Sequence, residues 1–580
     1  MNTKRNAAPR FVLVTTVILV LLTTFPSFAA EPLRPAKTAP DLEFDRLHDY
    51  DEVVGHIRGW AEAYPRWVKL ESIGKTSEGR DTWLMTITNP ATGAPESKPA
   101  MYVDGNTHAN EVQGAEAALY TVDFLLTNYG KLDRATELLD RLTFYVVPMV
   151  NPDGRARWFK GPSNAHFPRT VPVAVDDDRD GLFDEDGYDD IDGDGEITEM
   201  RKRVPLGQGG YRLDPKDPRI LVEVEGDELG DYIILGTEGF DNDGDGSVNE
   251  DTLGYVDPNR TWGWGWQPTY VQSGAGKYPL SVPETRNIAT WALKHTNISG
   301  VQSFHNYGRM ILRGPGAKMH GVFPAEDVEV FDFIAEQGEE MIPGYKYLIS
   351  WKDLYTTYGD TTDHFYKVTG AISYTNELYE APVDLDGDGE TTDQERLRFN
   401  DLLTGGRQFK NWEKVSHPQY GEVEVGGFRH NVNRVPEGWL LAEDMHRNAL
   451  FVLFHAWHLP KISLGEPEVH RVDKDLYKVY LPVLNERATP TMLSIAKRNN
   501  LYRADIASVK GAKVVASGIV QNKYLDKIKL QEHRPGRLMV DGIDGFSTRE
   551  LFFLVNGGGE ITVEYDSLKG GKLSRKVSLR

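Results

Sequence analysis

Cysteine occurs nowhere in these 580 residues. That excludes disulfides and thiolate ligands, and leaves His, Asp and Glu as the only side chains able to hold a transition metal. Long apolar runs are scarce as well: past the amino-terminal segment, none reaches the roughly 20 residues a membrane-spanning helix requires. Positive charge is in deficit, with 65 Lys and Arg against 87 Asp and Glu, a net charge of −22. This balance repels phosphate backbones and anionic lipid, so it argues against nucleic acid or a membrane surface as partner. Nothing in the sequence calls for an obligate protein partner. The chain has apolar residues enough to fold, at 40% hydrophobic and 11% aromatic, and its length predicts at least two domains.

Lys4, Arg5 and Arg10 precede an apolar run and a small-x-small site at Ser27-Phe28-Ala29, which predicts a signal peptide over residues 1–29. A linker over 30–41 follows. Export without disulfides suits a bacterial protein, periplasmic or extracellular. From 42 to 460, helical periodicity at 50–63 and 111–127 alternates with strand-like runs at 68–73, 82–87, 101–104, 142–150, 301–304 and 371–374. This is an α/β pattern. Acidic Asp/Gly-rich segments at about 161–199, 207–254 and 383–395 interrupt it, without clear helix or strand periodicity in the first two. Residues 461–580 read as short alternating strands between turns, an all-β, sandwich-like accessory domain.

Three clusters carry chemistry. His108 and Glu111 lie where a strand gives way to a helix, and His305 follows another strand. Together they make a two-His, one-carboxylate set that suits zinc with one position left open. Glu377 ends a third strand, where a carboxylate could take a proton from water and deliver it to a leaving amine. Asp257-Pro258-Asn259-Arg260 sets an amide beside a guanidinium, a pair suited to a carboxylate, and Tyr355 adds a hydroxyl.

These clusters, together with Asn151-Pro152-Asp153-Gly154 and Pro283-Glu284-Thr285 in the same order, closely resemble the carboxypeptidase A-like zinc metallocarboxypeptidases over about residues 42–458. The resemblance implies a mixed twisted sheet flanked by helices, and hydrolysis of the C-terminal peptide bond of peptides or proteins. It implies one catalytic zinc on His108, Glu111 and His305, with Glu377 as general base. Asn259, Arg260 and Tyr355 would bind the substrate carboxylate, and Asp257 would orient His108. The family also sets an arginine over the scissile carbonyl; spacing after the Asn151 motif is broken by the acidic insertion, so Arg201 is the candidate and Arg203 the reserve. Asn110 departs from the arginine that animal members commonly carry there. Thr362 falls at the pocket floor and Asp360 two residues earlier, which predicts acceptance of both apolar and basic terminal residues.

Asp384, Asp386 and Asp388, with Gly389 following and Glu395 closing, follow the EF-hand loop spacing. Asp241, Asp243 and Asp245 repeat its first half, as do Asp190, Asp192 and Asp194; Asp176, Asp178 and Asp180 give a partial copy. Structural calcium is therefore expected, and Arg201, at the twelfth place of the Asp190 loop, would couple that ion to catalysis. Two other readings stand beside carboxypeptidase activity: a cell-wall peptide carboxypeptidase or amidase of the same fold, and a non-catalytic calcium-stabilised binding protein.

Overall fold

The computed structural model describes residues 42–580 except 163–168, 175, 177–180, 185, 245, 247, 250–253, 430–433 and 437. The expected signal peptide and linker fall outside the described residues, as do Asp178, Asp180 and Asp245 of the acidic loops.

Eight strands form one mixed sheet, in the order Val68–Lys75, Asp81–Ile87, Thr143–Val147, Ala100–Gly105, Ile298–Asn306, Ile372–Leu378, Met310–Arg313 and Lys346–Ile349. The four from Thr143–Val147 to Ile372–Leu378 run parallel. Parallel strands are covered on both faces, and Ala100–Gly105 and Ile298–Asn306 are buried throughout. Met101 and Val103 point into one layer, built by helices Tyr50–Ala63, Gln113–Asn128 and Gly438–Trp457. Ala100 and Tyr102 point the other way, onto Trp262, Phe365 and helix Pro283–Ala292. Helix Tyr50–Ala63 forms because Val53, Ile57 and Trp60 recur at helical spacing and Asp49 and Glu52 make a capping box at its start.

The acidic insertions have more order than their sequence suggests. Glu199–Arg203, Tyr211–Leu213, Leu221–Glu223 and Tyr232–Thr237 join Phe409–His417 and Gly421–Phe428 in a six-stranded antiparallel sheet. Its core is small, chiefly Met200, Val423 and Val425. Short, half-exposed strands leave little alternation to read, which is why periodicity missed them.

Past Leu459, two sheets of six and four strands share a core that includes Val479, Leu551, Val540 and Val563. This is the expected all-β sandwich. It is tied to the α/β part by buried polar contacts. Asp327 accepts the backbone N–H groups of Ser494 and Ile495 at 2.7 and 2.9 Å. Lys569 donates to the carbonyl of Ile298, and burial lowers its pKa to about 7. No helix among the described residues is long and apolar enough to cross a membrane.

Candidate active site

The site lies at the carboxyl ends of the parallel strands, where open α/β sheets form their crevices. His108 follows Ala100–Gly105, His305 sits near the end of Ile298–Asn306, and Glu377 pairs in register with His305 on the adjacent strand. Two glycines permit the approach: a Cβ on Gly105 would lie 2.2 Å from the Gly114 carbonyl oxygen, and one on Gly154 would lie 2.2 Å from Ala109 Cβ. Helix Gln113–Asn128 and the Asn151 turn therefore press directly on the loop that carries His108 and Glu111.

The motif residues around this loop form a clip beneath it. Asn151 caps the next helix by accepting from Gly154 N–H at 2.9 Å. Asp153 accepts from Thr76, Glu78 N–H and Arg80, and Glu284 accepts from Ser77 N–H at 2.9 Å. Arg155, fully buried, donates to Glu116, Asn106 and the Val112 carbonyl.

His108 Nδ1 lies 2.8 Å from Glu111 Oε1, His305 Nδ1 lies 2.9 Å from Glu111 Oε2, and the two Nδ1 atoms are 3.2 Å apart. Two imidazole nitrogens facing each other across a carboxylate are a donor set for a cation, and all three residues are buried. The chemistry of this set fits zinc. On the far side of its ring, His108 Nε2 meets Asp257 Oδ1 at 3.0 Å, which fixes the tautomer that turns Nδ1 inward. Burial would raise Asp257, but His108, Arg260 and Arg169 hold it far below the usual carboxylate range. Glu111 is likewise held well below it, because His108 and His305 overcome the burial penalty. Glu377 shifts the other way, up to about 7, through burial first and the nearby Glu111 charge second.

His108, Glu111 and Glu377 line one cavity of about 320 Å³ together with Asn259, Arg260, Tyr355, Asp360 and Thr362. Asn259 Oδ1 accepts from Thr361 N–H and Oγ1, both at 2.9 Å, which leaves its amide NH₂ as the donor end. Arg260 is buried and donates to the Asn259 carbonyl at 2.8 Å. Tyr355 stands half exposed at the rim, after the wide helical turn Ser350–Leu354. Asp360 is buried, not turned to solvent: it caps the turn Thr361–His364 by accepting from Asp363 N–H at 2.8 Å, and burial with the Asp363 charge raises it to about 7. Thr362 Oγ1 is 2.6 Å from Thr375 Oγ1.

Arg201 and Arg203 are not part of this site. Arg201 belongs to the six-stranded sheet, where it pairs with Glu424 at 2.7 Å and stacks over Trp412 at 4.0 Å. Arg203 pairs with Asp231 at 3.0 Å on an exposed edge. Arg169 does line the cavity, with Nη1 2.9 Å from Glu111 Oε1 and Nη2 3.6 Å from Asp257 Oδ2. Its backbone carbonyl accepts from Ala109 N–H at 3.0 Å. An acidic insertion that begins at about 161 in the sequence places Arg169 inside it and hides this arginine. Arg434 also lines the cavity, with no motif in the sequence to mark it.

The acidic loops differ among themselves. In the Asp190 loop, Lys410 Nζ bonds Asp192 and lies 2.7 Å from Asp194 Oδ2, so an ammonium meets the carboxylates expected to hold calcium. With Arg201 remote from the cavity, the expected coupling of that loop to catalysis has no structural path. In the Asp384 loop, Asp384, Asp386 and Glu395 bring carboxylate oxygens within 4.8 Å of one another; Asp388 Oδ1 accepts from Glu390 N–H at 2.8 Å. Asp241 Oδ1 accepts from Gly244 N–H at 2.6 Å, within its own turn, and Asp243 lies in the same turn.

A family model described as zinc carboxypeptidase matches residues 53–186 and 240–384, and the first segment runs unbroken through Arg169. A second, described as a domain of unknown function (DUF8731), matches residues 461–578. Carboxypeptidase D of Rattus norvegicus is 36% identical over 121 residues, 21% of this chain and 9% of that protein. Carboxypeptidase B of Astacus astacus is 32% identical over 118 residues, 20% of this chain and 37% of that protein. The inactive metallocarboxypeptidase ECM14 of Saccharomyces cerevisiae is 27% identical over 143 residues, 23% and 33% of the two chains. The matched stretch thus spans about a tenth to a third of these relatives' lengths. Among solved structures, thrombin activatable fibrinolysis inhibitor superposes with a TM-score of 0.44 at 17% identity, covering 73% of this chain and 77% of that one. The zinc carboxypeptidase family is supported over the matched residues 53–186 and 240–384, and its α/β fold is the one described above.

Proposed function

We propose that this protein is an active zinc carboxypeptidase that removes C-terminal residues from peptides or proteins after export from the cell. The observation that carries the reading is the convergence of His108, Glu111 and His305 on one point, with Glu377 in register beside His305. A zinc ion on those three side chains would supply Lewis acidity toward water and the scissile carbonyl. Asn259 and Arg260 bind the terminal carboxylate from the cavity wall, and Tyr355 closes on it from the rim. Arg169, held by Asp257 and Glu111, offers its guanidinium to the oxyanion as it develops. Glu377 takes the proton from attacking water onto its carboxylate and delivers it to the leaving amine. A carboxylate shifted toward neutrality suits both halves of that transfer. Asp360 and Thr362 form the pocket for the terminal side chain and accept basic and apolar residues. Structural calcium at the Asp384 loop is part of the proposal; a calcium-selective chelator should lower Tm there while zinc stays bound.

The relatives include an inactive member, so activity needs its own test. Purified protein should carry about one zinc per chain, and chelation should abolish release of C-terminal residues until zinc is restored. Stoichiometric zinc with no turnover on any free-acid peptide would overturn the reading.

A further inference from the structure

We propose that Arg434 reads a carboxylate on the residue before the scissile bond, so that this site favours peptides with Asp or Glu in the penultimate position. The inference rests on the carboxypeptidase reading and goes beyond it to the substrate class.

The two ends of the cavity are built from opposite faces of the sheet. Asn259 and Arg260 lead into Trp262, which packs on the face carrying Tyr102 and helix Pro283–Ala292. Arg434 precedes helix Gly438–Trp457, which packs on the other face with Met101 and Val103. A peptide whose terminal carboxylate lies on Arg260 would therefore carry its preceding residues past Glu377 toward Arg434.

Arg434 is held as a presented cation. Its carbonyl accepts from Asn306 Nδ2 at 2.8 Å, and Asn306 N–H donates to Glu111 at 3.1 Å, which ties the segment to the metal set. The guanidinium stacks over Tyr307 at 4.8 Å, and Nη1 is buried without a hydrogen-bond partner. Among the described residues no carboxylate forms an ion pair with it. A buried guanidinium nitrogen without an acceptor is costly, and a substrate carboxylate is the acceptor that matches its fork. Arg434 and Glu377 line the same cavity.

The test compares acetyl-Ala-X-Leu with X as Glu, Gln, Ala or Lys, in the parent, Arg434→Met and Arg434→Lys. In the parent, kcat/KM for Glu should exceed that for Gln by about tenfold or more. Arg434→Met should bring the ratio close to one while hydrolysis of the Ala peptide changes less than about threefold, and Arg434→Lys should restore part of the preference. A preference that survives Arg434→Met overturns the proposal. So does an equal fall for all four peptides, which would make Arg434 a positioning cation for Glu377. Calorimetric Kd values for the Glu and Gln peptides on the zinc-loaded Glu377→Gln protein, with and without Arg434→Met, separate the two readings. A Glu preference in Kd that needs Arg434, without turnover in the parent, upholds Arg434 and sinks the enzyme assignment. Equal Kd values sink Arg434 even where turnover is normal.

Discussion

Exchanging the arginine at the cavity, and separately the one on the neighbouring sheet, tests which one acts on the reacting carbonyl. Arg169 approaches Glu111 at 2.9 Å and Asp257 at 3.6 Å, and those two charges hold its guanidinium over the metal set. Removing one preorganised oxyanion donor typically costs about 10²–10³ in kcat, roughly 3–4 kcal/mol. Arg169→Met should lose turnover by that factor with KM changed far less, since the interaction strengthens in the transition state. Arg169→Lys, with a point charge but no fork, should recover only part of it. Arg201→Met removes the Glu424 pair and the Trp412 stack, so it should lower Tm while leaving kcat within about threefold. Zinc content, measured on every variant, guards against a loss of metal being mistaken for a loss of catalysis. Equal losses of kcat in Arg169→Met and Arg201→Met, or none in Arg169→Met with zinc retained, would refute the assignment.

His108→Ala and His305→Ala should each lose zinc, whereas Glu377→Gln should keep it and lose orders of magnitude in turnover; near-normal turnover of Glu377→Gln would remove that residue from the mechanism. Asp360→Asn should shift the ratio of Lys- and Arg-terminated to Leu- and Phe-terminated hydrolysis toward the apolar substrates, and an unchanged ratio would leave Asp360 only its capping role. Lys569 has a folded pKa of about 7 against an ordinary value of 10.5, so the unfolded chain binds the extra proton between those limits. Its contribution should make unfolding free energy rise with pH from about 7 toward 10, by at most about 1.4 kcal/mol per pH unit. Denaturant titrations of the parent and Lys569→Met should show that slope falling in the variant, and identical slopes would contradict the burial of this lysine.

The part of this fold most legible in the sequence is the part buried on both faces. Ala100–Gly105 and helix Tyr50–Ala63 announce themselves through a run and a stripe of apolar residues, whereas Ile298–Asn306, which buries Ser299, Gln302 and Ser303, is legible only over 301–304. His108, Glu111, His305 and Glu377 are legible as candidates because they stand at strand ends and occur together, and the fold brings them to one place. Arg169 is not, because it sits on an irregular segment whose position is set by contacts distant in sequence, such as the bond from Ala109 N–H to its carbonyl. Arg434 is hidden for the same reason: only the folded chain brings it to Asn306 and Tyr307. The acidic sheet is hard to read in the sequence because four of its six strands have six residues or fewer, and an inner pairing joins residues near 200 to residues near 424. Lys410 shows the same limit, since a spacing that matches a calcium loop does not reveal a lysine more than 200 positions away meeting its carboxylates.

The central claim is that the Asn259, Arg260 and Tyr355 end of the cavity reads a free C-terminal carboxylate while Glu377 cleaves the bond beside it. Paired peptides of identical sequence, one ending in the free acid and one in the carboxamide, test it directly, with products identified by mass spectrometry. Stepwise loss of single C-terminal residues is expected from the acid, with kcat/KM lower on the amide by on the order of 100-fold, the cost of losing charge-assisted hydrogen bonds. Equal cleavage of both peptides, or cleavage at internal bonds, would contradict it.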